Sequence, residues 1–427
     1  MAVARPAGPV IDVFDPRVYA AGIPHDAYRL LRDEDPVHWH QEPAVGDWPA
    51  GPGFWAVTRY ADVVRVLRTP GEYSSFAGAT QIRDPDPADL PFIRRMMLNL
   101  DPPDHGRLRR VVSGAFTPRR IGRFADAVAA RARELVDRVA ERGTCDLPVD
   151  VTDEYPVANL ADLLGVPPGD RGLIRAWTDR VVGYQDPDHA GTARGPDGRP
   201  VNPRSPARLA DMFDYARALA EHKRRRPADD LMTALALAEE DGRRLDDAEL
   251  SMFFFLLVIA GNDTVRAALP GGLAVLLDHP AEHRRLLADP GLLDPAIEEL
   301  LRRHPPVLSF RRTAVADTVL AGRPIAAGDK VVVFHAAANH DERRFPDPMR
   351  LDIARRLNDH VSFGDGPHVC LGARFARLQM RALYRELLWR LPDLEPAGPP
   401  VRLVSNFIGG VKHLPLRFTP VPRSGAR

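Results

Sequence analysis

Apolar residues recur at three- and four-residue intervals over Arg119–Arg142, Ala207–Lys223, Asp247–Leu277, Pro295–Arg303 and Leu371–Leu391. That spacing puts them on one face of a helix and predicts five long helices. Pro270 falls inside the third; it lacks an N–H and is expected to kink or end the helix there. Strand patterns are fewer: Gly53–Thr58, a set of short strands broken by glycine turns over Thr318–Phe334, and a hairpin within Val401–Phe418. Tyr73–Pro91 and Gln185–Pro206 are long, polar and rich in proline, and are expected to be loops. The pattern predicts a mainly helical protein with small β-sheets.

The chain has 427 residues and a net charge of zero, so no global field draws it toward nucleic acid or an anionic surface. Its length suits two domains or one large one. No phosphate-binding GxxxxGK[ST] loop is present, and no glycine fingerprint follows an expected strand, so nucleotide cofactors are not held by those routes. The most apolar run, Met252–Ala260, is about half of a membrane span. The N-terminal MAVARPAGPVIDVFDP carries no signal core, and the expectation is a cytoplasmic protein without a membrane anchor. There are two cysteines, Cys145 and Cys370, at no metal-clip spacing. Any cysteine chemistry therefore rests on one of them alone.

Phe363-Gly364-Asp365-Gly366-Pro367-His368-Val369-Cys370-Leu371-Gly372-Ala373 is the richest segment. It brings Cys370 to the first turn of the Leu371–Leu391 helix, where free N–H groups and the helix dipole favour thiolate and lower the thiol pKa. Its glycines clear side chains from where a flat macrocycle would lie. A buried, inert cysteine is the commoner fate of a lone thiol. Cys145, following Gly143-Thr144 at an expected helix end, fits it; a nucleophile is the other alternative for Cys370, without a protease signature around it.

The run Phe-Gly-x-Gly-x-His-x-Cys-x-Gly resembles the haem-binding signature of the cytochrome P-450 superfamily. The resemblance implies haem b between the oxygen-motif helix and the cysteine-loop helix, in a single haem-thiolate domain over residues 1–427 with an ordered core of about 15–418. It implies Cys370 as the axial thiolate, whose electron push favours O–O cleavage. His368 would meet a haem propionate, with Phe363, Gly364 and Gly372 shaping the loop.

Other segments match the same family in order. Glu299-Leu300-Leu301-Arg302 resembles its Glu-x-x-Arg helix, and Arg355, after Phe345-Pro346-Asp347-Pro348, the arginine that completes that network. Read alone, Glu299 and Arg302 would be an exposed i, i+3 pair worth a few tenths of a kcal/mol; position favours a buried, direction-specific joint. Ala260-Gly261-Asn262-Asp263-Thr264 resembles the oxygen-activation motif. There Ala260 and Gly261 would leave room for O2, Thr264 would bond the helix or oxygen, and Asp263 would relay protons. A solvated polar patch is the bland alternative. His105, Arg109 and Arg312 match the remaining propionate partners, though singly each reads as a surface charge.

The matches at Met97–Pro103 and Ser405–Pro415, with Asn262, are similar to an actinobacterial subgroup that hydroxylates sterol side chains and methyl-branched lipids. This implies a lipophilic substrate (steroid, terpenoid, acyl chain or secondary-metabolite scaffold). Met97, Leu98, Ile259, Val307, Phe310, Phe407 and Ile408 are the expected contacts, although each by base rate is plain core. Electrons would come from a separate ferredoxin and ferredoxin reductase. A peroxide-driven enzyme and a non-catalytic haem sensor or carrier are the competing functions. The Asp263-Thr264 pair argues against both. The two long loops, Tyr73–Pro91 and Gln185–Pro206, are expected to act as lids.

Overall fold

The computed structural model describes residues 11–45, 48–182, 185–188, 205, 208–240 and 243–424. Helices make up most of it, and the strands form one five-stranded sheet and four smaller ones among the described residues. In the large sheet the order is Val37–His40, Phe54–Val57, Lys330–Phe334, Ser309–Ala314, Tyr73–Ser74. The pair Phe54–Val57 and Lys330–Phe334 is parallel and its neighbours are antiparallel. Both of these strands are buried throughout, so neither shows the alternation of a half-exposed strand.

Asp247–Leu277 is one helix of 31 residues, here called the central helix. A capping box starts it: the Asp246 carboxylate accepts from the Glu249 N–H at 2.7 Å, and the Glu249 carboxylate accepts from the Asp246 N–H at 3.1 Å. By length and composition it could cross a membrane. Its sides are instead packed by Tyr155–Leu164, Arg171–Val182, Ala210–Arg225, Leu293–Arg303 and Ala373–Arg390, which is how a helix apolar all round is buried in a core.

Pro270 neither ends nor interrupts this helix. The buried Tyr384 hydroxyl reaches in one residue earlier, donating to the Leu269 carbonyl at 2.9 Å and accepting from the Leu273 N–H. A side chain thus inserts into the rung between Leu269 and Leu273, just past the proline, whose own missing rung is the one to the Arg266 carbonyl. The expected single helix over Arg119–Arg142 is two, Pro118–Gly122 and Ala125–Ala140. Arg123 and Phe124 bond three residues back rather than four, and Phe124 turns edge-on to Phe375 at 6.1 Å. The break follows Gly122, a weak helix former, and lets Phe124 pack against the cysteine helix.

The helices expected at Ala207–Lys223, Pro295–Arg303 and Leu371–Leu391 form over Ala210–Arg225, Leu293–Arg303 and Ala373–Arg390. Thr318–Phe334 holds three short strands, and Val401–Arg402 pairs with Val411–His413. Pro415–Arg417 pairs with Thr144–Asp146, so Cys145 sits on a strand and not at a helix end. It is buried, and burial pushes its thiol up to about 12.

The two expected lids differ. Tyr73–Pro91 is tied down: Arg311 donates its N–H to the Thr80 carbonyl and its guanidinium to Asp84, while Tyr73, Ser75, Thr80 and Ile82 are buried. Of Gln185–Pro206, residues 189–204 and 206 lie outside the described residues. Its start is fastened to the C-terminal segment: Gln185 bonds Ser405 and Asn406, and the buried Asp186 accepts from the Val404 N–H and from Lys412.

Candidate active site

The loop that carries Cys370 is closed by its own backbone. The Cys370 N–H donates to the Phe363 carbonyl at 2.8 Å, and Gly364 and Gly366 take φ of +71° and +66°. A Cβ at Gly366 would stand 2.5 Å from the Leu67 carbonyl oxygen, so only glycine fits against the end of helix Tyr60–Arg68. From that helix Arg68 pairs with Asp365 at 2.9 Å. Gly372 is the N-cap residue of the cysteine helix, Ala373–Arg390. Cys370 is accessible, in a depression of about 510 Å³ lined by Ser113, Phe116, Leu371, Ala373, Arg374 and Arg377. Burial within the protein raises its thiol pKa. The Gly372 and Ala373 N–H groups and the Arg109 and Arg377 charges oppose that rise without overcoming it. The lowered pKa expected from the helix N-terminus is therefore corrected. Desolvation is the larger effect.

Beside the cysteine, four groups able to carry positive charge converge. His105 and Arg109 lie one turn apart on Asp104–Ser113, Arg312 lies on Ser309–Ala314, and the His105 and His368 rings are 4.1 Å apart. Burial lowers all four pKa values, and their mutual repulsion adds to it for His105 and His368: His368 falls to about 2 and Arg312 to about 10. Among the described residues no carboxylate is within ion-pairing distance of Arg109 or Arg312, and the buried His368 Nε2 has no partner. Such a cluster suits a ligand bearing carboxylates.

Behind the loop, Glu299 is wholly buried. Arg302 donates to both its oxygens at 2.8 Å, Arg355 to both at 3.1 and 3.2 Å, and Asn358 at 3.1 Å. Arg302 also reaches the Asn339 and Pro348 carbonyls, and Asn339 bonds Ser362 just before Phe363. A second brace was not seen from the sequence. Glu298 takes Arg377 at 2.6 and 2.7 Å and His360 at 3.2 Å, and Arg377 lies 4.3 Å over the Phe363 ring. The doublet Glu298-Glu299 was its only signal, because its partners are distant in the chain. Burial alone would raise the Glu298 pKa, but the Arg377 and His360 bonds outweigh it and hold it at about 2. An unfolded glutamate titrates near about 4.3. The stability this gives is complete above that value and is lost as pH falls toward 2. Melting temperature is expected to drop through that window more steeply for the native chain than for Glu298→Gln; parallel curves would remove the brace.

On the central helix Thr264 donates to the Ala260 carbonyl at 2.8 Å, and both residues keep accessible surface. Gly261 faces elsewhere. A Cβ on it would come within 3.0 Å of Leu160, so its small size serves helix packing. Asp263 points away from Thr264 and pairs with Arg266 at 3.1 Å, which also meets Asp179 at 2.9 Å and Asp153 at 3.9 Å. Burial opposes the Arg266 charge, but these three carboxylates raise its pKa. Arg175, half exposed, carries this cluster to the surface through Asp153 at 2.9 Å.

The apolar candidates divide. Met97 and Ile408 are core residues, whereas Leu98, Ile259, Val307, Phe310 and Phe407 are half-buried. Phe310 meets Phe407 edge-on at 5.7 Å, Val307 bridges Ile408, and the turn Met97–Asn99 packs on the central helix.

The family model for cytochrome P450 matches residues 208–392, and relatives align over nearly the whole chain. The chain belongs to the cytochrome P450 family. It is 36% identical over 416 residues to the steroid C26-monooxygenase of Mycobacterium tuberculosis, covering 96% of this chain and 93% of that one. With the methyl-branched lipid omega-hydroxylase of the same organism it shares 38% over 398 residues, 92% and 90% of the two chains. A solved cytochrome P450 of Mycobacterium marinum in complex with pseudoionone superposes with a TM-score of 0.86 at 40% identity, over 98% of this chain and 100% of that one. The protein is a haem-thiolate monooxygenase, and its cofactor is haem b. The residues present fit that group. An accessible cysteine flanked by N–H donors suits the iron, and two arginines without an ion-paired carboxylate, beside the unpartnered His368 Nε2, suit two propionates.

Proposed function

We propose that this chain, acting as one domain over residues 1–427, inserts an oxygen atom from O2 into a lipophilic small molecule. The observation that carries the reading is the accessible Cys370 beside Arg109 and Arg312, which have no carboxylate within ion-pairing distance among the described residues, and beside the unpartnered His368 Nε2. In it Cys370 is the iron ligand, and His105, Arg109, Arg312 and His368 hold the propionates. Phe363, Gly364 and Gly372 shape the loop, which the Glu299–Arg302–Arg355 and Glu298–Arg377 braces keep still. Haem held there supplies one-electron and O2 chemistry.

The chain's own residues do the rest. Ala260 and Thr264 border the reaction space. The Thr264 hydroxyl, resting on the Ala260 carbonyl, gives its proton to that space, and Asp263 resupplies it by leaving its pair with Arg266 and turning toward Thr264 with a proton taken from solvent. Leu98, Ile259, Val307, Phe310 and Phe407, with Met97 and Ile408 behind them, present apolar surface to the substrate. The relatives are named for a steroid C26 position and for the omega end of a methyl-branched lipid. Both names mark the tip of a branched chain, so an extended molecule entering tail first is the reading for this pocket. Electrons reach it from a separate ferredoxin and its reductase in the cytoplasm, with the exposed Arg374 at the rim of the Cys370 depression as a docking charge.

The test is turnover of a steroid and a methyl-branched fatty acid with NADPH, ferredoxin and reductase, against peroxide alone. Hydroxylated product only with the electron donors supports the reading. Product with peroxide alone, or none with either, overturns it. Thr264→Ala is expected to bind substrate normally while its product yield per NADPH falls about tenfold to a hundredfold, the balance appearing as peroxide. Unchanged yield would leave Thr264 a helix residue only.

A further inference from the structure

Pro270-Gly271-Gly272, beyond the oxygen motif on the central helix, admits two polar side chains from other elements. A Cβ on Gly271 would lie 2.1 Å from the His304 ring, and one on Gly272 would lie 2.5 Å from the Tyr384 hydroxyl. Neither glycine has a positive φ, so each is there for room and not for backbone conformation. Tyr384, on the cysteine helix, occupies the ladder beside Pro270 with bonds to Leu269 and Leu273. His304 caps the Glu299 helix and passes over Gly271; its Nε2–H donates to the Gly409 carbonyl at 2.6 Å.

Gly409 follows Phe407 and Ile408, and its N–H returns to the Pro306 carbonyl. Leu308 donates to the Phe407 carbonyl, and Val307 bridges Ile408. The wall that carries Phe407, Ile408 and Val307 is therefore tied through one imidazole to the helix that bears Ala260 and Thr264. Through Tyr384 the same joint holds the helix that begins just after Cys370. His304 is buried, and burial keeps it neutral down to about pH 4, so its single N–H is permanently directed at Gly409.

We propose that His304 and Tyr384 are positioning residues that set the pocket wall in register with the oxygen-motif helix and the cysteine helix, and so determine which substrate carbon is oxidised. The idea rests on the monooxygenase reading above and deepens it. Neither side chain need touch substrate. A wall freed from His304 shifts Phe407 and Val307, and a long apolar ligand then sits in several registers where it had one.

The experiment compares the native holoenzyme with His304→Phe, His304→Gln and Tyr384→Phe, using pseudoionone as the probe. Three quantities are read: the ferrous–CO band, the Kd from the Soret difference spectrum, and the distribution of oxidised products. His304→Phe should keep the CO band, weaken pseudoionone roughly tenfold and spread oxidation over additional carbons. His304→Gln, which can still donate to Gly409, should restore the native pattern. An intact band with unchanged Kd and product ratio in His304→Phe overturns the proposal. Should that variant fail to fold, Tyr384→Phe decides: altered regiochemistry at normal haem content supports the joint, and native regiochemistry overturns it. Loss of the thiolate-type band in the native protein would instead sink the haem-thiolate reading.

Discussion

Cys370→Ser is expected to abolish the long-wavelength CO band of the reduced protein and its turnover, while Cys145→Ser should retain both. The two thiols differ in surroundings. Cys145 is inside a strand pair with its thiol raised to about 12, so it stays protonated and inert. Removing its sulfur perturbs packing by about 1–2 kcal/mol. Cys370 is accessible, opposed by Arg109 and Arg377, and flanked by the Gly372 and Ala373 N–H groups. Absorption spectra of the two reduced, CO-saturated variants check this directly. A normal band in Cys370→Ser, or its loss in Cys145→Ser, would reverse the assignment of the ligand.

Glu299→Gln should be among the most damaging substitutions outside the haem surroundings. The native carboxylate accepts from Arg302, Arg355, Asn358 and the Asp352 N–H, with no exposed surface on either Glu299 or Arg302. Taking away its charge leaves two guanidinium groups facing each other in the interior, a loss of about 3–5 kcal/mol. The urea midpoint and the haem-to-protein ratio should fall together, because Asn339 and Ser362 carry the disturbance to the cysteine loop. Glu134→Gln is the control: its pair with Arg138 is exposed, and its loss should cost no more than about 0.5 kcal/mol. If the two variants matched, Glu299 would be acting as an ordinary helix-surface residue.

What could be read from the chain depended on how local its cause was. The start of the central helix was legible, since Asp246, Glu249 and the apolar run after them sit next to one another. The outcome at Pro270 was not: the side chain that enters the ladder beside it, Tyr384, is more than a hundred positions away. Likewise Phe124, at the break that follows Gly122, packs on Phe375 of another helix, and nothing between 119 and 142 shows that contact. Spacing alone showed that Glu299 and Arg302 share a helix face, but not that the face is buried. Arg355 entered only through the resemblance. Direction of charge shift was the least legible feature. Free N–H groups at Cys370 argued for a lower thiol pKa, and the weight of surrounding protein reversed the sign.

The cation cluster has a thermodynamic consequence. On the assignment proposed above, the folded chain binds a dianionic macrocycle that the unfolded chain does not, so folding and loading are one linked equilibrium. Free cofactor at 100 times its dissociation constant adds about 2.7 kcal/mol to the folded state. Its two carboxylates also offset the burial that lowers the His368 and Arg312 pKa values and the repulsion that adds to it at His368. Acid should therefore weaken the haem-free protein first, because an unfolded His368 takes up a proton near pH 6.5 that the folded one refuses. The stability of this enzyme is then a function of haem supply as much as of its sequence.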